Sequence, residues 1–308
     1  MDRVLVTGGS GFIGSNVIDE LMKSFKVVNL DLKPSKNSEI EQIIGDIRDK
    51  ELVEQVVEKC DVIIHLAAQV SVPLSIDYPQ KTLEINVQGT QNIIDAAHKF
   101  GIKRLIMASS AAVYGEVSNL PLTEESAGQC LSPYAQSKWE NESQIMLARE
   151  NGLEAVALRF FNVYGPGQST DGAYAAVIPK FVEMLTTGKQ PIIHGDGLQS
   201  RDFVHVKDLV RAIENLLECD WNLVDGHAYN LASQSQTTIL DILELINTSI
   251  EKINPDFNLM EPNFELPRKG DIKHSFADIS KITSTLNWKP STELSQGIEE
   301  LVRIRLNQ

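Results

Sequence analysis

The sequence predicts an α/β protein: a Rossmann-type doubly wound parallel sheet with a smaller α/β C-terminal substrate domain. Three observations lead there. Short β-branched runs alternate with helical patterns, a glycine-rich turn stands directly after the first run, and the second half is looser and richer in Gly and Pro turns. Strands buried on both faces of a parallel sheet read as unbroken apolar runs, because neither face meets water. Val4-Leu5-Val6, Val27-Val28-Asn29-Leu30, Val62-Ile63-Ile64, Leu105-Ile106-Met107 and Ala155-Val156-Ala157-Leu158 are such runs. The segments between them are long enough to supply the right-handed crossover helices that parallel strands require.

At 308 residues the chain exceeds the size at which a single core stops growing, so one large domain or two smaller ones fit. A dinucleotide-binding domain is placed at 1–165, with a return segment near 200–232, and a mainly substrate-binding domain at 166–308. In the latter, helices are expected around Ile178 to Thr187, Ile239 to Lys252 and Ser295 to Leu306, separated by turns such as Gly195-Asp196-Gly197 and a Pro- and Asn-rich stretch from Asn254 to Pro267. No repeat of solenoid length is visible.

Composition narrows the function classes. The formal charge of −14 opposes a general nucleic-acid binder, which gains affinity by neutralising phosphates. Cys60, Cys130 and Cys219 are far apart and odd in number, which suggests neither a disulfide framework nor a zinc site and fits a reducing cytoplasm. The six histidines show no HxxH spacing, so no metal is expected. Neither a signal peptide nor an apolar run of the ~18 residues a membrane span needs is seen.

Thr7-Gly8-Gly9-Ser10-Gly11-Phe12-Ile13-Gly14 follows the first strand and opens a helix carrying Val17, Ile18 and Leu21. Glycines at 8, 11 and 14 permit a tight turn, clear side chains from the path of a pyrophosphate, and let helix and strand pack closely. Asp31 ends the second strand 20 residues after Gly11, where a carboxylate would accept hydrogen bonds from an adenosine ribose. A 2′-phosphate there would be repelled, which favours NAD over NADP, although Lys33 is close.

Tyr134 and Lys138 are four residues apart behind Ser132-Pro133, a helix N-cap followed by proline at the first helical position. They should share a helix face, with the Lys138 charge lowering the Tyr134 pKa so that the phenol can act as a base. Ser109-Ser110 ends the strand Leu105-Ile106-Met107, at the carboxyl edge where doubly wound folds bind ligands, which places a hydroxyl by a nicotinamide.

These segments, together with His65-Leu66-Ala67-Ala68, Asn86-Val87-Gln88-Gly89-Thr90, Ser109-Ser110-Ala111-Ala112-Val113-Tyr114-Gly115 and Arg159-Phe160-Phe161-Asn162-Val163-Tyr164-Gly165-Pro166, resemble the sugar-nucleotide epimerase/dehydratase branch of the extended short-chain dehydrogenase/reductase superfamily. The resemblance covers nearly the whole chain. It implies a catalytic triad of Ser110, Tyr134 and Lys138. It further implies that Asp46 and Ile47 flank the adenine, that Leu66, Ala67 and Ala68 line the cofactor diphosphate path, that Asn86 orders the site, and that Ser109 and Phe161 contact the cofactor. Asn162, Arg201 and Arg268 match positions that hold a nucleotide diphosphate, and Asp271 one that contacts its ribose. Arginines suit that task because they make bidentate bonds to phosphate oxygens.

Branch members that eliminate water or decarboxylate are similar to one another in carrying an acid near the Ser-Ser position. Here Ala111 and Ala112 stand in its place, and a missing general acid or base costs roughly 10²–10⁴-fold. The expectation is therefore a UDP-sugar 4-epimerase. Tyr134 takes the O4 proton while C4 gives hydride to NAD, and the 4-keto sugar turns over before the hydride returns. UDP-glucose and UDP-galactose are the expected substrates. Ser275 aligns with a family position where a bulky Tyr excludes N-acetyl groups, so the N-acetylated pair would fit too, unless Ser275 is only a surface residue. UDP-glucuronate epimerisation, dehydration and reduction are the alternatives. Apolar faces around Leu83 to Ala97 and Ala135 to Ala148 would suit a homodimer, as the resemblance implies, or equally an internal core.

Overall fold

The computed structural model describes residues 3–116, 119–170, 176–224, 227–267 and 272–307. Seven strands form one parallel sheet: β1 (Arg3–Thr7), β2 (Lys26–Asp31), β3 (Glu41–Ile44), β4 (Val62–His65), β5 (Arg104–Ser110), β6 (Glu154–Phe160) and β7 (Ala228–Leu231). Their order is β7-β6-β5-β4-β1-β2-β3. The chain reverses direction across the sheet between β1 and β4, and a crevice opens at the carboxyl ends of the strands there.

Successive residues of a strand face opposite sides, and β1 shows it: Val4 and Val6 enter one core while Leu5 enters the other. The first core is closed by α1 (Phe12–Leu21) and α6 (Val206–Glu218) through Val17, Ile18, Leu21, Leu209, Ile213 and Leu216. The second is closed by α2 (Lys50–Val57), α3 (Gly89–Phe100) and α4 (Pro133–Glu150) through Val53, Val57, Ile93, Ala97, Ile145 and Ala148. A third core joins α5 (Val177–Thr186), α7 (Ile239–Ile253) and α8 (Leu294–Leu306) through Ile178, Phe181, Ile242, Ile246, Ile298 and Val302.

Five of the seven strands contain the apolar runs the sequence displays. The two remaining, β3 and β7, form the edges. β3 reads Glu41-Gln42-Ile43-Ile44 and is half exposed, so it lacks the signature of a strand covered on both sides. β7 is four residues long and pairs with β6 from Ala228↔Ala157 to Leu231↔Phe160, which ties a late segment into the first sheet. Among the described residues no helix is long and apolar enough to cross a membrane.

Candidate active site

A cleft of about 920 Å³ lies along the carboxyl ends of the strands, and six of the seven, all but β7, contribute to its wall. Gly8, Gly11, Phe12, Ile13 and Gly14 follow β1, Asp31 ends β2, and Asp46 and Ile47 follow β3. Leu66, Ala67 and Ala68 follow β4, Ser109 and Ser110 end β5, and Phe161 follows β6, while Tyr134 and Lys138 reach in from α4.

The glycines of the first turn do different work. Gly8 has φ +73°, and a side chain there would also press on the backbone of Ala67 at 2.7 Å. A Cβ at Gly14 would sit 2.3 Å from the Gly8 carbonyl, so this residue lets α1 lie against its own turn. Gly11 has an ordinary extended backbone and would meet only the Gly8 carbonyl, at 3.3 Å. Its absent side chain faces the cleft, where the first amides of α1 have no capping side chain.

The Asp31 carboxylate is fixed by backbone donors: Ser10 N–H to Oδ2 and Lys33 N–H to Oδ1, both 3.0 Å. Each oxygen keeps capacity to accept from a ligand. Asp46 is held below the usual carboxylate range chiefly by Arg48, whose Nη2 donates to Oδ2 at 2.6 Å. Beneath the turn, Thr7 Oγ1 and Thr90 Oγ1 bracket His65 at 2.7 and 2.9 Å, and Thr7 Oγ1 accepts from Ala67 N–H at 3.2 Å. Burial pushes the His65 pKa down to about 3, so this clamp is neutral.

α4 starts as its cap predicts, with Ser132 Oγ accepting from Ala135 N–H at 3.1 Å and Pro133 in the first turn. Tyr134 is 8% exposed and Lys138 4%, on the face that meets the cleft. Lys138 Nζ donates to the Ala108 carbonyl at 2.8 Å, and burial pulls its pKa down to about 8 against an opposing pull from Glu142. The expectation that Lys138 lowers the Tyr134 pKa is corrected here. Burial raises the phenol, and the counterweight is its hydrogen bond with Ser110. The lysine charge is spent on the Ala108 carbonyl and Glu142 instead.

Asn86 stands behind the wall rather than in it. Its Oδ1 accepts from Gln69 N–H at 2.8 Å and its Nδ2 donates to Ser137 Oγ at 2.9 Å, joining the segment after β4 to α4. Asn162, Arg201 and Ser275 are also outside the first cleft, and they gather on one segment. Asn162 Nδ2 donates to the Asp202 carbonyl at 3.0 Å, Ser275 N–H to the Ser200 carbonyl at 3.1 Å, and Arg201 Nη1 to the Ser200 carbonyl at 2.8 Å. A second, more open hollow of about 1020 Å³ lies beside them, lined by residues that include His194, Asp196, Gln199 and Lys273. Arg268 and Asp271 lie outside the described residues.

Sequence reasoning missed Arg48, Gln69, Lys81 and Gln168, all in the cleft wall. Arg48 was signalled by its place directly after Asp46-Ile47. The Gln168 side chain donates to the Val163 carbonyl at 3.1 Å while its buried Oε1 has no partner among the described residues. Lys81, five residues before the motif that opens at Asn86, gave no signal. Among the described residues no group of three or more His, Cys, Asp or Glu side chains is arranged to hold a metal ion.

Comparison with known proteins agrees with this geometry. Residues 4–232 match the NAD dependent epimerase/dehydratase family. The chain is 33% identical to a UDP-glucose 4-epimerase of Mycolicibacterium smegmatis, with 99% of both chains covered. It is 30% identical to a UDP-N-acetyl-alpha-D-glucosaminuronate decarboxylase of Bacillus cytotoxicus, over 98% of this chain and 97% of that one. A solved structure of the UDP-N-acetylglucosamine 4-epimerase of Methanobrevibacter ruminantium, in complex with UDP-N-acetylmuramic acid, superposes with a TM-score of 0.89 at 36% identity, covering 98% and 97% of the two chains. With its sheet order, glycine turn and Ser110, Tyr134 and Lys138 at the carboxyl rim, the chain belongs to the NAD-dependent epimerase/dehydratase family.

Proposed function

We propose that the protein is a 4-epimerase that interconverts UDP-glucose and UDP-galactose and also admits the N-acetylated pair. One observation carries the choice of reaction. Among the described residues of the cleft wall, the carboxylates are Asp31 and Asp46, at the ends of β2 and β3, and none lies by Ser110 and Tyr134. Removing water or carbon dioxide calls for further acid–base help at the reacting carbons, whereas 4-epimerisation needs one proton moved at O4.

The residues suit a dinucleotide. Gly11 leaves an open face over the first amides of α1, where a diphosphate gains from backbone N–H groups and the helix dipole. Asp31 can accept from a ribose and Asp46 with Ile47 can frame the adenine, while Leu66, Ala67, Ala68, Ser109 and Phe161 complete the wall. A bound NAD would supply a reversible hydride acceptor for C4 of the sugar and a positive charge near the phenol.

Tyr134 accepts the O4 proton, through Ser110, with which it shares a hydrogen bond. Ser110 also accepts from Ala112 N–H at 3.2 Å, so its hydroxyl is oriented before substrate arrives. Lys138 is tied to β5 through Ala108 and holds the nicotinamide ribose. Asn162, Arg201, Arg268 and Asp271 hold the nucleotide, the part of the substrate that stays still, and Ser275 leaves room for an N-acetyl group. In this reading residues 1–165 with the 200–232 return bind cofactor, and the rest of 166–308 binds the nucleotide sugar. A cytoplasmic homodimer goes with it: Trp139, Met146 and Leu147 of α4 are exposed apolar residues that a second copy would cover.

The test is product analysis with UDP-hexoses, UDP-N-acetylhexosamines and UDP-glucuronate, for the wild type and Tyr134→Phe. C4 epimers are expected from the first two groups, with turnover reduced by roughly 10²–10⁴-fold in the variant. Dehydrated or decarboxylated products, or undiminished turnover by Tyr134→Phe, would overturn the proposal.

A further inference from the structure

Glu142 lies one helical turn beyond Lys138 on α4 and is 2% exposed. An isolated carboxylate at that depth would take up a proton or disrupt its surroundings. Here both oxygens are held. Arg159 of β6 donates from Nε to Oε1 at 2.9 Å and from Nη2 to Oε2 at 2.7 Å, and the Ser109 hydroxyl donates to Oε1. Arg159 is fixed in turn, its Nη1 donating to Tyr114 Oη at 2.9 Å and to the Glu124 carbonyl at 2.7 Å. The Tyr114 hydroxyl then donates to Asn230 of β7.

We propose that Glu142 is a positioning residue of the reaction: its carboxylate, pinned by Arg159, supplies the counter-charge for the buried Lys138 ammonium and anchors Ser109 so that β5 presents Ser110 correctly. Stability alone is a poor reason for such a pair, since apolar residues of equal volume hold a fold at least as well. What apolar residues cannot do is set a negative charge one turn below Lys138.

The groups facing Lys138 are few. Tyr134 and Glu142 share its helix, and His65 at the end of β4 is neutral. Glu142 is faced by Arg159, by Cys130 in the segment before α4 and by His227 before β7, so Arg159 is the cation that fixes it. Burial pulls Lys138 toward its neutral form and Glu142 opposes that pull. Losing the carboxylate therefore moves the loss of the Lys138 charge to lower pH.

The inference rests on Tyr134 and Lys138 being the reacting pair, so its test reads cofactor binding as well as turnover. Wild type, Glu142→Gln, Glu142→Asp and the double variant Glu142→Gln/Arg159→Gln are compared for NAD affinity and for UDP-galactose epimerisation across pH 6 to 10. In the wild type NAD affinity should fall as Lys138 loses its proton, near pH 8. Both Gln variants should show that fall about one pH unit lower, with kcat reduced about 10- to 100-fold and KM within about threefold. Glu142→Asp keeps the charge and should retain the wild-type pH profile. A side chain needed only for packing gives the opposite ranking, because Gln matches Glu in shape and Asp does not. Folded Gln variants whose profile overlays the wild type would overturn the proposal. So would failure of both Gln variants to fold, which assigns the pair to folding. A wild type inactive on every UDP-sugar sinks the epimerase reading instead and leaves the NAD profile to judge Glu142.

Discussion

Replacing Gly11 by alanine should separate cofactor binding from folding. Gly11 caps α1 at φ −78° and ψ 176°, extended backbone that alanine adopts without strain, and its Cβ would meet only the Gly8 carbonyl at 3.3 Å. Alanine is a slightly worse N-cap than glycine, by less than about 1 kcal/mol. The stiffer unfolded chain returns about 0.4–1 kcal/mol, so the melting temperature should move by no more than a few degrees. The added methyl nevertheless occupies the approach to the first amides of α1. Losing two charge-assisted bonds to a diphosphate, at about 1.5–3 kcal/mol each, costs about 3–6 kcal/mol. At 1.4 kcal/mol per tenfold, NAD binds roughly 10²–10⁴-fold more weakly. Gly14→Ala is the control, since its Cβ would lie 2.3 Å from the Gly8 carbonyl and 2.6 Å from Gly9 Cα, so it should lower the melting temperature first. Calorimetric titration with NAD and thermal melting of both variants check this. Gly11→Ala binding NAD within about threefold of wild type, or melting as low as Gly14→Ala, would refute the assignment of Gly11 to the diphosphate path.

Asp31→Ala should weaken NAD by about 10- to 100-fold while leaving NADP little changed, narrowing the preference seen in parallel titrations; an unaltered NAD to NADP ratio would remove Asp31 from the ribose site. His65 is neutral in the fold, its pKa depressed to about 3, whereas in the unfolded chain it takes up a proton below about 6.5. Its contribution to stability is therefore complete above that pH and is lost as pH falls, by at most about 1.4 kcal/mol per unit. His65→Asn should show a shallower decline than wild type in denaturant midpoints measured from pH 7 to 5, and parallel declines would contradict the neutral clamp.

What the sequence revealed was what local backbone chemistry dictates. The turn at Gly8 to Gly14 demands residues without side chains, and the start of α4 is written in Ser132-Pro133, so both could be placed without knowing any long-range contact. β3 escaped notice because an edge strand meets water and reads Glu41-Gln42-Ile43-Ile44, without the run that marks a buried strand. That the Lys138 charge is felt by Glu142 rather than by the Tyr134 phenol was hidden for a different reason. Spacing shows which groups share a helix face, but the desolvation that raises Tyr134 and lowers Lys138 depends on β5 and β6 packed over them. α4 even conceals its buried side from apolar periodicity, since it buries Ser137, Lys138, Asn141 and Glu142.

That polar burial would suit the proposed epimerase, in which one site acts on both faces of a sugar ring. The five-residue π-helix Glu84–Gln88 departs from the ordinary helical bonding pattern, and the Asn86 carbonyl accepts from Asn141 Nδ2 at 2.9 Å. Asn86 Nδ2 reaches Ser137, and Gln144 Nε2 donates to the Val87 carbonyl at 3.1 Å. α4 is thus bolted to this segment by directional bonds at Ser137, Asn141 and Gln144, where an apolar interface would allow it to slide. The apolar part of the wall differs. Near Ser110 it offers Phe160, Phe161 and Val163, surfaces with no directional preference. In an epimerase the ring must turn over between two hydride transfers while the base stays in place. A rigid polar helix beside apolar wall residues would suit both conditions, because a turning ring would have no strong bond to break there and the phenol would meet O4 from the same position each time.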